Sequence, residues 1–233
     1  MGEGLPSEAD QPRILLVTLA SEGGVGALTE VAVRWLRARG CRVSLAWYEP
    51  WRRRAALSVP FWALPFRRPR RVSEVRADGV TIHRIGVRLP ELECRRYRPG
   101  PLWRAAIAEH DHAFAICGSV LQAGPLAEPG RPLLAWVSSA FDSDRALRRR
   151  RLAPPRRLLD RLLDAPLCRR QERRLLARAA LLANSETTAS ELAALTPALD
   201  LRALLPWPIA PDLEVAPWPR SPDGLRRIGF CGR

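Results

Sequence analysis

Lysine is absent from this chain: all 38 basic residues are arginine, set against 24 acids, for a net charge of +14. Without lysine there is no P-loop lysine, no kinase strand lysine and no Schiff-base lysine for pyridoxal phosphate. Absent lysine beside abundant Ala, Leu, Pro and Arg reads as a compositional bias of the genome rather than selection for phosphate binding. The basic runs hold few interleaved aromatics, and no helix-turn-helix, zinc-finger or RNP pattern occurs, so no nucleic-acid partner is expected. Cysteine is sparse as well. Cys41, Cys94, Cys117, Cys168 and Cys231 are scattered and never form a CxxC pair, which speaks against a disulfide framework or a zinc site and for a reducing cytoplasm. Histidine is limited to His83, His110 and His112. The His110-Asp111-His112 step lacks a third ligand nearby and reads as a solvated loop rather than a metal site. No apolar run approaches the roughly 18–20 residues of a membrane span. Met1 to Pro12 is polar and acidic, with no basic region before an apolar core, so it reads as a disordered tail and not as a secretory signal.

What is present is a globular composition, 47% hydrophobic and 27% charged. Residues 13–18 form a short continuous apolar run, as expected for a parallel strand buried on both faces. A glycine-rich loop follows, with Gly23, Gly24 and Gly26, and then helical spacing of Leu28, Val31, Ala32, Trp35 and Leu36 over Ala27–Arg39 until Gly40 ends the helix. Residues 42–47 read as a second strand, completing a β-loop-α-β unit. Tyr48 to Val75 reads as irregular, with Trp51, Phe61, Trp62 and Phe66 among Arg52–Arg54, Arg67, Arg68, Arg70 and Arg71. Further strands are expected at 80–85, 113–117, 133–137 and 181–183, and a helical turn at 102–108. A mostly helical stretch is expected over 145–183, broken at Asp164-Ala165-Pro166, and Thr188–Glu191 reads as a capping box opening a last helix. The expectation is a Rossmann-like doubly wound α/β domain over 13–205 with about six parallel strands. Gly23–Gly26 should then lie at the carboxyl edge of the first strand, beside Gly118 and Ser138. A Pro-rich linker spans 206–224, and 225–233 reads as the opening strand of a second domain, so that the chain is expected to be a fragment.

The order of these segments resembles the N-terminal domain of a family 4 glycosyltransferase, which has the two-domain GT-B fold. The resemblance rests on Arg13–Val17 with Gly23-Gly24-Val25, on Val80–Ile85, and on His112–Ser119 followed by Pro132–Val137. It continues through the Ser-Glu-x-Thr turn at Ser185–Thr188 to Ile228–Arg233. It implies transfer of a sugar from a nucleotide-diphosphate sugar to a glycan or lipid-linked acceptor. Configuration would be retained, with no metal and no cofactor beyond the co-substrate. Gly232 and Arg233 would then approach the donor diphosphate, with the Gly23 and Gly24 amides across the cleft. Ser138, Ser139 and Asp142, after a strand end, either hydrogen-bond an acceptor hydroxyl or cap the next helix. The chain departs from the family at Trp136-Val137, where many members carry a cleft histidine, and at Pro206–Ala210, which replaces a Pro-Asn-Gly-Val-Asp linker. The family's second-domain carboxylates have no counterpart up to residue 233. Catalytic residues are therefore not assigned, and the chain by itself is expected to be inactive.

Two other readings stay open. One is a non-catalytic Rossmann-like domain that binds a ligand or partner. The other is half of an NAD-dependent oxidoreductase, although Gly23-Gly24-Val25-Gly26 is not a clean GxGxxG and only Glu49 lies near the end of the second strand. The arginine–aromatic stretch at 47–71 and a second basic run, Arg148–Arg151 with Arg156, Arg157 and Arg161, either are solvated or rest on a lipid headgroup layer. The expected location is the cytoplasm, with peripheral contact at the inner face of the membrane as the further option.

Overall fold

The structure, a computed structural model, describes residues 11–19, 23–49, 57–150 and 152–205. The expected tail, the linker at 206–224 and the opening strand at 225–233 lie outside the described residues, apart from Gln11 and Pro12. Eight strands form one sheet: β1 (Arg13–Val17), β2 (Arg42–Tyr48), β3 (Arg71–Val75), β4 (Thr81–Ile85), β5 (His112–Cys117), β6 (Leu133–Val137), β7 (Ala179–Ala183) and β8 (Asp200–Leu204). Their order is β3-β4-β2-β1-β5-β6-β7-β8. All neighbours pair parallel except the β3–β4 hairpin. Leaving out β3, the chain winds outward from β1 on one side and then from β5 on the other, a doubly wound α/β arrangement of Rossmann-like type.

The apolar runs work as expected because each central strand buries both faces. Leu15 and Val17 pack with Trp103, Ala106, Phe141 and Leu176 on one face, while Ile14 and Leu16 pack with Leu28, Val33 and Leu36 on the other. Leu15 and Leu16 are wholly buried, each contributing roughly 1.5–3 kcal/mol. Helix α1 (Gly23–Arg37) carries Arg34 and Arg37 in its last turn, where cations favour the helix dipole. Gly40 then turns the chain at φ +76°.

Five expectations are corrected. The glycines at 23–26 are not a loop before the helix; they are its first turn. Residues 71–75 are not irregular but form β3, which an Asp78-Gly79 turn joins to β4, with Gly79 at φ +83°. β8 adds a parallel edge strand that the sequence reading lacked. The break at 164–166 is no break, because α5 (Pro154–Leu159) passes through a π turn at Asp160–Asp164 into α6 (Ala165–Leu176). The remaining helices are α2 (Glu93–Arg96), α3 (Pro101–Ala108), α4 (Phe141–Arg150) and α7 (Glu186–Leu195). The cap of α7 is Ser185, whose hydroxyl accepts from the Thr188 amide, rather than Thr188 itself.

Candidate functional site

Ligands of doubly wound sheets bind at the carboxyl edge where the winding reverses. Here that point lies between β1 and β5. Three chain segments leave the sheet beside it: Thr18 after β1, Gly118 after β5 and Ser138 after β6. Thr18 is tied down, its hydroxyl 2.8 Å from that of Thr29, which in turn donates to the Val25 carbonyl at 2.8 Å. This places the opening turn of α1 over the end of β1. First-turn amides of a helix have no intrahelical acceptor. Gly23 is at φ +74° with open space where a Cβ would stand, so another residue would be strained there by its backbone and not by a neighbour.

The strand ends are laced together. The Gly118 carbonyl accepts the Ser139 amide at 2.7 Å and the Ser139 hydroxyl at 3.1 Å, and the Gly118 amide donates to Gln122 at 2.7 Å. The Ser138 carbonyl accepts the Thr188 hydroxyl at 2.9 Å, joining the end of β6 to the Ser185–Thr188 turn. The Ser138 hydroxyl itself is buried with no partner among the described residues. Buried hydroxyls are nearly always hydrogen-bonded, so this one has bonding capacity to spare.

The expected site residues therefore divide. Gly23, Gly24, Ser138 and Ser139 lie at the carboxyl edges of β1 and β6, either side of Gly118. Ser139 is engaged by Gly118. Asp142 is engaged too, since Arg169 grips its carboxylate at 2.7 and 3.0 Å. Gly232 and Arg233 lie outside the described residues. Glu49, the candidate ribose ligand for a dinucleotide, is wholly occupied: it is 1% exposed, pairs with Arg84 at 2.8 Å and accepts from Trp47 at 3.2 Å.

Among the described residues no group of three or more His, Cys, Asp or Glu could hold a metal. His110 is not in a solvated loop. It is half-buried, contacts the Ala106 carbonyl at 2.7 Å and meets the His83 ring edge to face at 5.7 Å. His83 lies 2.8 Å from the Ser73 hydroxyl, and burial, helped by Arg71 and His110, pushes its pKa down to about 4.

Two groups were not anticipated. Glu172 of α6, buried beneath the 138–141 segment, accepts the Phe141 amide at 2.8 Å, and burial raises its pKa to about 7. A buried charge cluster lies farther along the same helix. Arg145 of α4 pairs with Glu93 at 2.5 Å, with Asp164 at 3.3 Å and with Asp160. Asp164 also accepts the amides of Glu93 and Cys94 at 2.9 and 3.0 Å. Burial alone would raise the Asp164 pKa, but those amides and Arg145 outweigh it and hold it below the usual value. The one signal in the sequence was Asp160 and Asp164 at i, i+4 inside an arginine-rich helix, which puts both on one side.

Compared with known proteins, the chain matches no family model, and no curated protein is similar to it.

Proposed function

We propose that this Rossmann-like unit is the acceptor-side half of a GT-B glycosyltransferase, which moves a sugar from a nucleotide-diphosphate donor to an acceptor with retention of configuration. The observation that carries the reading is the unsatisfied Ser138 hydroxyl, buried at the carboxyl end of β6 in a residue whose backbone is bonded to the end of β5 and to Thr188 of α7. A hydroxyl so placed can donate to, or accept from, a sugar or acceptor hydroxyl without first giving up a protein partner. The backbone amides at the start of α1 offer uncharged donors across the same crevice, suited to the negative charge that grows on a departing diphosphate. No carboxylate or imidazole reaches this edge free of a partner in the groups described above, so the proposed role is positioning. The chemistry falls to the donor and to a facing domain.

Occupied Glu49 disfavours the nicotinamide alternative, because a ribose would have to displace both Arg84 and Trp47 from a buried carboxylate. The reading places the protein in the cytoplasm, where nucleotide-sugars are the donors. It is tested by release of nucleoside diphosphate from a panel of nucleotide-sugars, using the protein as its gene encodes it. Release is expected to fall about tenfold in Ser138→Ala, the order of one lost hydrogen bond. Silence on the whole panel together with saturable quenching by NADH would replace this reading with the oxidoreductase one.

A further inference from the structure

Three segments meet at Glu91. The Phe61 amide donates to its carboxylate at 3.1 Å, Arg156 reaches its backbone carbonyl, and the neighbouring Pro90 carbonyl accepts from Arg96 at 2.8 Å. Each segment is unusual at its surface. On the first, Phe61, Trp62 and Phe66 are 66%, 60% and 86% exposed. On the helix from α5 into α6, the buried side carries Asp160, Asp164 and Cys168, while Leu158, Leu159, Leu162, Leu163 and Leu167 face outward. Leu162 is 70% exposed. The first and third segments, 57–70 and 86–103, enclose a groove of about 910 Å³, lined by Leu64, Leu102 and Trp103 and by Arg68, Arg88, Arg95 and Arg98. The Trp103 indole N–H is buried without a partner among the described residues. Over 57–70, 86–103 and 152–171, every exposed charged residue is an arginine. None of the four groove arginines has an ion pair among the described residues.

Soluble surfaces rarely gather so many large apolar side chains unless something covers them. The charge says what. A protein partner with an apolar patch would not need a rim whose exposed charges are all arginine, whereas an anionic bilayer offers apolar depth under a sheet of phosphates. Aromatic rings and leucines enter the headgroup boundary, and arginines pair with phosphate in fork geometry. We propose that this face docks the protein on an anionic phospholipid bilayer, with the groove arginines gripping lipid phosphates and Phe61, Phe66 and the outward leucines inserted beside them. The inference goes beyond sugar transfer and does not rest on it, since none of these residues lines the β1–β5–β6 crevice. It narrows the earlier arginine–aromatic expectation and moves its weight: Trp51 and Arg52–Arg54 lie outside the described residues, and the leucine face of α5–α6 takes their place.

The test is co-sedimentation with vesicles. Binding is expected to phosphatidylcholine vesicles containing phosphatidylglycerol, not to phosphatidylcholine alone, and to weaken as ionic strength rises. Arg95→Gln with Arg98→Gln should weaken partitioning at least about tenfold, since each arginine near such a surface is worth about 1 kcal/mol. Leu158→Gln with Leu162→Gln should weaken it at constant charge; if that variant does not fold, Phe66→Ser serves the same purpose. Equal binding to both vesicle types overturns the proposal. So does capture of monomeric dihexanoyl phosphatidylglycerol with no vesicle binding, which would make the groove a small-ligand site. Self-association without lipid, abolished by the leucine changes, would assign the face to a second copy of the chain.

Discussion

The knot around Arg145 and the groove over the end of β4 use the same residue type for opposite ends. Arg145 is 5% exposed and surrounded by Glu93, Asp160 and Asp164. Arg68, Arg88, Arg95 and Arg98 are exposed and line a cavity without a carboxylate in it. The segment Glu93–Arg98 belongs to both, turning Glu93 inward and Arg95 and Arg98 outward. A net charge of +14 is therefore not a uniform property of this surface. Some arginines are consumed in holding helices together, and what a ligand or membrane would meet is the remainder.

The largest test of that contrast is Arg145→Ala. It leaves Glu93 without this partner and Asp160 and Asp164 with only the partly exposed Arg149 at 3.1 Å and Arg156 at 3.5 Å; breaking a buried pair on one side costs about 3–5 kcal/mol, and with those arginines remaining the loss in urea denaturation should lie at the lower end of that range. Gly86→Ala attacks the groove from below. A Cβ there would stand 1.9 Å from the Leu57 carbonyl oxygen, so the backbone at 57–58 must move, at about 1–3 kcal/mol. A thermal melt no different from wild type would show that the 57–59 segment is loosely held.

Next in size is a pH effect in which two buried groups oppose each other. Glu172 is more readily protonated in the folded state, so stability falls as pH rises from its ordinary 4.5 towards about 7. His83 is harder to protonate when folded, so stability falls as pH drops from 6.5 towards about 4. Each can supply at most about 1.4 kcal/mol per pH unit. Glu172→Gln keeps an acceptor for Phe141 and should unmask the His83 limb, giving stability that rises with pH across that window. A curve unchanged by the substitution would place the Glu172 titration elsewhere. The smallest expected effect is the most telling for the comparison: Arg95→Gln with Arg98→Gln should change folding stability by less than about 0.5 kcal/mol. A larger loss would mean that these arginines have structural partners.

How much of this was legible depended on which force set each element. β1, β2, β5 and β6 were readable because strands buried on both faces leave continuous apolar runs. β3 was hidden because it is an edge strand reading Arg-Val-Ser-Glu-Val, with Val75 exposed, Glu74 paired across the hairpin with Arg84 at 2.9 Å and Arg71 paired with Glu109 at 2.6 Å. β8 is likewise short and exposed along its length. Pro166 looked like a helix breaker, but it stands in the first turn of α6 just after the π turn, where the hydrogen-bond ladder has already shifted and no amide is missed. At the crevice the glycines and Ser138 could be named from sequence. That the Ser138 hydroxyl lacks a partner could not, because it depends on how the end of β5, the end of β6 and Thr188 of α7 come together.

The π turn at Asp160–Asp164 acts as a phase shifter. A helix advances about 100° per residue, so one surplus residue rotates everything downstream relative to everything upstream. Before the turn, the phase points Leu158 and Leu159 at solvent and delivers Asp160, its first residue, to Arg145; after it, Cys168, Glu172, Leu175 and Leu176 point at the core. A one-residue deletion within the turn would restore regular winding and so set the two halves against each other. Either the carboxylates would leave Arg145, or the core side of α6 would swing outward. Substitutions along this helix are local events, while a change in its length is a rotation.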